Sequence, residues 1–135
     1  MRASRSFTSV LGSTPAARRF VLSTLGDTPA DLRDAISVMV SELAMNAVQH
    51  ARTQFEVSVE LTADTLRVTV TDSGAGRPTA QPMPPPSSDR GRGLQIVQSL
   101  ADEWGVAPSS HGSGKSVWFQ LGLRAGAQHR PVSPH

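Results

Sequence analysis

The sequence predicts an α+β fold in which helices cover one face of a β-sheet. Residues 28–50 carry apolar side chains at helical spacing. The next two segments, 55–61 and 66–71, alternate apolar and polar residues, as strands with one buried face do. A four-residue turn joins them, so we expect an antiparallel hairpin. Since the helices and the sheet each have one apolar face, stacking these faces gives a two-layer sandwich.

The other elements are predicted in order along the chain. Residues 5–11 alternate weakly and are predicted to form an edge strand. The pairs Thr14-Pro15 and Thr28-Pro29 indicate helix starts with threonine as the N-cap, and the first helix is expected to run to about residue 25. Helical spacing resumes at about residue 93 and stops near residues 104–105, and residues 116–123 alternate as a last strand. We therefore expect a mixed, mostly antiparallel sheet with three helices on one face.

The length of 135 residues fits one domain, which we place at residues 1–123. Residues 74–92 contain five prolines and little apolar surface, so residues 77–90 are predicted to form a lid. Residues 124–135 are predicted to be a disordered tail. No apolar run approaches the ~20 residues that span a bilayer, and cysteine is absent. These features predict a cytoplasmic protein that does not contact a membrane.

The distribution of charge argues against a nucleic-acid surface. The formal net charge is only +2, and twelve of the thirteen basic residues are arginines scattered along the chain. Nucleic-acid surfaces cluster basic residues and interleave aromatic ones, whereas aromatic residues make up only 4% here. We expect no direct nucleic-acid partner.

The first candidate for chemistry is Asp72, which follows a predicted strand and precedes Gly74 and Gly76. Glycine lets the backbone approach a ligand closely, since it has no Cβ. A carboxylate accepts hydrogen bonds and donates none, which suits the exocyclic amine of adenine. The alternative is that Asp-Ser-Gly is only a turn signal.

The second candidate is a polar stripe of Glu42, Asn46 and His50, which are spaced i, i+4 and i+8 on the long helix. The amide oxygen of Asn46 could bind Mg²⁺, which prefers oxygen ligands and keeps several waters. Glu42, one turn earlier, could take a proton from an attacking hydroxyl. The alternative is an ordinary solvated helix face, and His50 is more typical of a structural residue than of a metal ligand.

Two glycine-rich segments complete the set. Gly91, Arg92, Gly93 and Leu94 stand where a helix is predicted to begin, and glycines at a helix N-terminus leave N–H groups for phosphate. The alternative is a plain flexible helix start. Residues 112–116 look like part of a P-loop, but a strand is predicted after them where a P-loop needs a helix, so we reject that reading.

The segments SELAMNAVQHA at 41–51, TDSGAG at 71–76, GRGL at 91–94 and GSGKS at 112–116 resemble, in order, the four boxes of the GHKL ATPase superfamily. Within it the chain looks like the anti-sigma-factor serine kinases of Gram-positive bacteria. It is most similar to the small stand-alone ATP-binding regulators of actinomycetes. The similarity covers residues 7–123 and implies a Bergerat-type sandwich that binds ATP and Mg²⁺.

The resemblance also implies roles for individual residues. Glu42 matches the general base proposed for the serine kinases, Asn46 would ligate Mg²⁺ and Asp72 would take the adenine amine. The other nucleotide-binding positions fall in the glycine-rich boxes: Gly74 and Gly76 at the adenine; Gly91, Arg92, Gly93 and Leu94 at the phosphates; Lys115 and Ser116 in the last box.

The implied function is an ATP-dependent protein serine kinase. Such kinases bind a sigma factor and phosphorylate a serine on a small antagonist protein, and the resemblance leaves a homodimer open. The first alternative is a non-catalytic ATP-responsive binding module, because the nucleotide boxes explain binding and not transfer. The second, a sensor histidine kinase fragment, is weaker, since no helical hairpin with an acceptor histidine is evident.

Overall fold

The structure, a computed structural model, describes residues 1–50, 54–72, 89–108 and 114–123, and for residues 50 and 89–94 only the backbone is described. Three helices and five strands make up this part of the chain. Their bounds are β1 Arg2–Thr8, α1 Ser13–Thr24, α2 Ala30–His50, β2 Gln54–Leu61, β3 Thr65–Asp72, α3 Asp89–Leu100, β4 Glu103–Pro108 and β5 Lys115–Gly122.

The five strands form one sheet in the order β1-β2-β3-β5-β4, and each neighbouring pair is antiparallel. The predicted α+β class and the β2–β3 hairpin are confirmed. We had predicted a mixed, mostly antiparallel sheet, and in the described part all strand pairs are antiparallel. Strand β5 lies between β3 and β4, so the central β3–β5 pairing joins segments that are far apart in the sequence.

The core lies between the sheet and the helices. The alternation of strand β3 explains this position of the core. Leu66, Val68 and Val70 point to the helices and are buried, while the residues between them are only half-buried. An antiparallel sheet of this kind has one packed face and one polar face. The largest fully buried side chains are Phe55, Phe119, Ile36, Met39, Leu43, Leu66 and Leu121.

The start of α1 differs from the prediction. The helix begins at Ser13 with Gly12 as its N-cap, and no side chain caps it. Thr14 lies inside the first turn, is buried, and its Oγ1 has no hydrogen-bond partner among the described residues. The prediction that Thr14 is the N-cap of this helix was therefore wrong. Strand β1 also ends at Thr8, and the exposed Leu11 belongs to the turn that follows it.

The end of α3 also differs. We predicted helix to residues 104–105, but α3 ends at Leu100. The main-chain N–H of Asp102 donates to the carbonyl of Gln120 on β5 at 2.9 Å, so the chain has already joined the sheet there. The carboxylate of Asp102 accepts the N–H of Gly122 at 2.8 Å and fixes the same junction. Trp104 and Gly105 consequently belong to β4.

The remaining predictions are only partly covered by the structure. Of the predicted lid, residues 77–88 lie outside the described residues, and residues 89–90 begin α3. The predicted tail, 124–135, also lies outside them. Within the described part, no helix is long and apolar enough to cross a membrane.

Candidate functional site

A cleft opens between the C-terminal half of α2 and the ends of the two central strands. It holds about 190 Å³ of empty space, part of which is open to solvent. Three elements of distant sequence meet here because β5 pairs with β3 and α2 packs on β3. The cleft is lined by Leu43, Asn46 and Ala47 of α2, Val70 and Asp72 of β3, and Lys115 and Val117 of β5.

Asp72 is the buried acid of this cleft. It is the last residue of β3, faces the helices as Val70 does, and is only 6% exposed. A buried carboxylate is costly unless hydrogen bonds compensate it. The main-chain N–H of Lys115 donates to Asp72 Oδ1 at 3.3 Å. The carboxylate is thus held by the backbone of β5 at the wall of the cleft.

Asn46 supplies the second polar group. Its amide oxygen, Oδ1, is buried and has no hydrogen-bond partner among the described residues. An unsatisfied buried acceptor costs about 1–3 kcal/mol, so its presence in a cleft indicates a ligand that satisfies it.

The donor set fits Mg²⁺ held together with a phosphate ligand. Within the described residues no three His, Cys, Asp or Glu side chains are grouped as a metal cage. Magnesium seldom needs such a cage, since it is usually bound through one or two protein oxygens, several waters and substrate phosphates. The Asn46 oxygen, which none of the described residues contacts by a hydrogen bond, is a suitable single protein ligand.

The rest of the cleft lining is mainly apolar. Leu43 and Ala47 lie on the α2 side and Val70 and Val117 on the sheet side. A lining that combines apolar side chains with a few polar groups is the usual form of a small-molecule site. The sequence prediction did not include these four residues, although the helical spacing of 43, 46 and 47 and the strand alternation at 70 and 117 already placed them beside Asn46 and Asp72.

Glu42 is not part of this lining. It is half-buried and precedes Asn46 by one helical turn, which is about 6 Å along the axis. The structure therefore brings Asn46 and Asp72 together but leaves Glu42 at the border of the cleft.

Lys115 and Ser116 are separated by the alternation of β5. Lys115 lines the cleft, whereas the Ser116 hydroxyl hydrogen-bonds the Thr71 hydroxyl at 2.9 Å. Thr71 and Ser116 are paired opposite each other on the face of the sheet that the helices leave open. The Ser116 side chain is consequently outside the cleft, and its position between Lys115 and Val117 in an alternating strand already indicated this.

The glycine-rich boxes are described only in part. Gly91, Arg92, Gly93 and Leu94 lie in the first half of α3, which packs against α2, and their side chains are outside the described part. Gly74, Gly76 and the His50 side chain also lie outside it. Their predicted roles stay predictions.

The fold therefore carries a cleft that presents a carboxylate at Asp72 and an amide oxygen at Asn46. The model of the histidine kinase-like ATPase domain matches residues 7–121, and the chain belongs to this family. The match confirms the predicted GHKL superfamily, whose domains bind ATP. A search of the curated proteins gives no match.

Proposed function

We propose that the cleft binds Mg-ATP, with the adenine at Asp72 and the magnesium at Asn46. The observation that carries this proposal is that a buried carboxylate and a buried amide oxygen line one cleft, and that the amide oxygen has no hydrogen-bond partner in the described part of the chain. The family match supports ATP as the ligand.

Asp72 provides the selectivity for adenine. Its carboxylate can accept a hydrogen bond from the 6-amino group but cannot donate one to the 6-oxo group of guanine or hypoxanthine. The Lys115 N–H occupies Oδ1 and fixes the rotation of the carboxylate. The apolar residues of the lining, among them Ala47 and Val117, are nearly fully buried, so a base would contact only a small apolar area there.

Asn46 provides the contact for the metal. When bound, magnesium neutralises charge on the phosphates and orients them, which is most of what phosphoryl transfer needs from a protein. Helix α3 begins at Asp89, so Gly91 lies in its first turn, where main-chain N–H groups are left free, and this supports a phosphate position near the start of α3.

We further propose that the domain is a protein serine kinase that acts on a small antagonist protein and thereby regulates a sigma factor. The support is the resemblance of segment 41–51 to the serine kinases, in which Glu42 stands at the general-base position. Glu42 would accept the proton of the attacking serine hydroxyl, while Asn46 and Asp72 hold the nucleotide.

The test is transfer of the γ-phosphate from Mg-ATP to a candidate small antagonist protein from the same organism, read as phosphoserine. The variant Glu42→Ala should abolish transfer and keep ATP binding. Asp34→Ala is the matched control, since Asp34 is an exposed acid on the same helix, about two turns before Glu42. Equal transfer by Glu42→Ala and wild type contradicts the assigned base.

A second function is favoured by the position of Glu42 outside the cleft lining. In that case the domain is a non-catalytic module whose partner affinity depends on bound ATP. It predicts ATP binding without phosphoserine, and a partner whose dissociation constant changes between nucleotide-free and ATP-bound protein. The same two measurements, made on wild type, separate the two functions.

A further inference from the structure

We propose that Ser116 is a positioning residue for adenine recognition: its hydroxyl bond to Thr71 on the open face of the sheet keeps the Lys115 N–H on the Asp72 carboxylate. This inference rests on the proposed function of Asp72. It gives Ser116 a role that does not require contact with the nucleotide.

The Thr71–Ser116 bond and the Lys115–Asp72 bond lie on opposite faces of the sheet at the same end of the β3–β5 pair. Thr71 and Ser116 form the last residue pair of the β3–β5 ladder. The next residue on β3 is Asp72 and the preceding residue on β5 is Lys115. Their contact, the Lys115 N–H to Asp72 Oδ1, lies on the helix side at 3.3 Å. The hydroxyl bond on the other side measures 2.9 Å and is one residue away on both strands.

The contact at Asp72 depends on how closely the two strand ends approach. At 3.3 Å it is longer than the usual 2.7–3.2 Å of an N–H···O bond, so a small displacement of β5 would lose it. Strand β4 does little to fix the position of Lys115, because the residue paired with Lys115 is Pro108, which has no N–H to donate. The Thr71–Ser116 bond is the cross-strand side-chain bond beside the site.

Other cross-strand contacts on the open face lie farther from Asp72. The guanidinium of Arg67 donates from Nε to Gln120 Oε1 at 3.2 Å and stacks 4.0 Å from the ring centre of Trp118. These contacts also join β3 to β5, so they stabilise the same pairing. Because Gln120 is four residues from Ser116, its loss should weaken the sheet without moving the Lys115 N–H.

The test compares Ser116→Ala, Ser116→Thr and the matched control Gln120→Ala. The readouts are the dissociation constants of Mg-ATP and Mg-ITP by calorimetry, with Asp72→Asn as the reference for loss of the carboxylate. Inosine carries a 6-oxo group in place of the 6-amino group, so ITP cannot form the 6-amino hydrogen bond to Asp72.

Ser116→Ala should weaken ATP binding by roughly two- to tenfold and leave ITP binding unchanged, as expected for the loss of one hydrogen bond. Ser116→Thr keeps the hydroxyl and should retain the wild-type ratio of the two constants. Gln120→Ala should also retain that ratio even if its melting temperature falls. Thr71→Val removes the partner hydroxyl and should match Ser116→Ala, which provides a second variant should one fail to fold.

Three results would overturn the inference, and they separate it from the proposed function. If the ratio of the ATP and ITP dissociation constants is unchanged in Ser116→Ala and Thr71→Val while Asp72→Asn loses much of its ATP affinity, the positioning role is wrong and the proposed function stands. An equal loss in Ser116→Ala and Gln120→Ala shows general sheet stability instead. Failure of wild type to bind ATP, or full ATP affinity in Asp72→Asn, removes the proposed function as well.

Discussion

The buried oxygen of Asn46, which has no hydrogen-bond partner within the ranges that the structure describes, predicts a variant that is more stable than the wild type but binds its ligand less well. In Asn46→Ala the buried acceptor is removed, and with it an unsatisfied cost of about 1–3 kcal/mol. Alanine also improves helix propensity by roughly 0.6 kcal/mol, while the lost side-chain contacts offset up to about 1 kcal/mol. The nucleotide-free variant should therefore be about 1–2 kcal/mol more stable.

The assay is thermal unfolding with and without Mg-ATP. For a chain of this length, the gain should raise the melting temperature by roughly 3–6 °C per kcal/mol. Mg-ATP at a hundredfold excess over its dissociation constant should stabilise the wild type by about 2.7 kcal/mol. It should stabilise Asn46→Ala much less, because the metal ligand is gone.

The matched control is Gln49→Ala, an exposed position on the same helix that reports the propensity gain alone. The reasoning is refuted if nucleotide-free Asn46→Ala melts no higher than this control. It is also refuted if Mg-ATP raises the melting temperature of Asn46→Ala as much as that of the wild type.

Three further predictions concern the sheet and are checked by urea unfolding. Gly105→Ala should cost about 1–3 kcal/mol and change the Trp118 emission in a Trp104→Phe background, because a Cβ at residue 105 would stand 2.8 Å from the indole nitrogen of Trp118. Phe119→Ala should cost about 3–5 kcal/mol, since this ring is fully buried in the core. Arg2→Ala should cost less than about 1 kcal/mol although Arg2 pairs with Glu60 at 2.6 Å, because both side chains are largely exposed. A loss above 2 kcal/mol for Arg2→Ala, or below 1 kcal/mol for Phe119→Ala, would contradict the assigned burial.

The parts of the fold that sequence patterns predicted are those with a clear buried face. Helix α2 and the β2–β3 hairpin have strict periodicity, and the structure has both. Strand β4 has no such pattern, since Val106 is exposed and Gly105 contributes no side chain to a core. The end of α3 was misplaced because Ala101 and Trp104 continue a helical spacing after the chain has turned into the sheet.

For the candidate site, the sequence predicted some of the side chains but not the contacts between them. Asp72 and Asn46 could be singled out as residue types at suitable positions. The Lys115 N–H could not be singled out, because every residue except proline has a main-chain N–H and the residue type does not show which one contacts the site. Ser116 was assigned to the nucleotide from the resemblance of its box, although the alternation of β5 places its side chain on the other face of the sheet.

The central claim is that Asp72 makes this cleft an adenine site. Its most direct test is the dissociation constant of Mg-ATP for wild type and Asp72→Asn, with Mg-ITP as the comparison nucleotide. The account predicts that wild type prefers ATP to ITP and that Asp72→Asn loses roughly ten- to hundredfold in ATP affinity, as for loss of a hydrogen bond to a charged group. Equal affinity of wild type for the two nucleotides, or undiminished ATP binding by a folded Asp72→Asn variant, would contradict it.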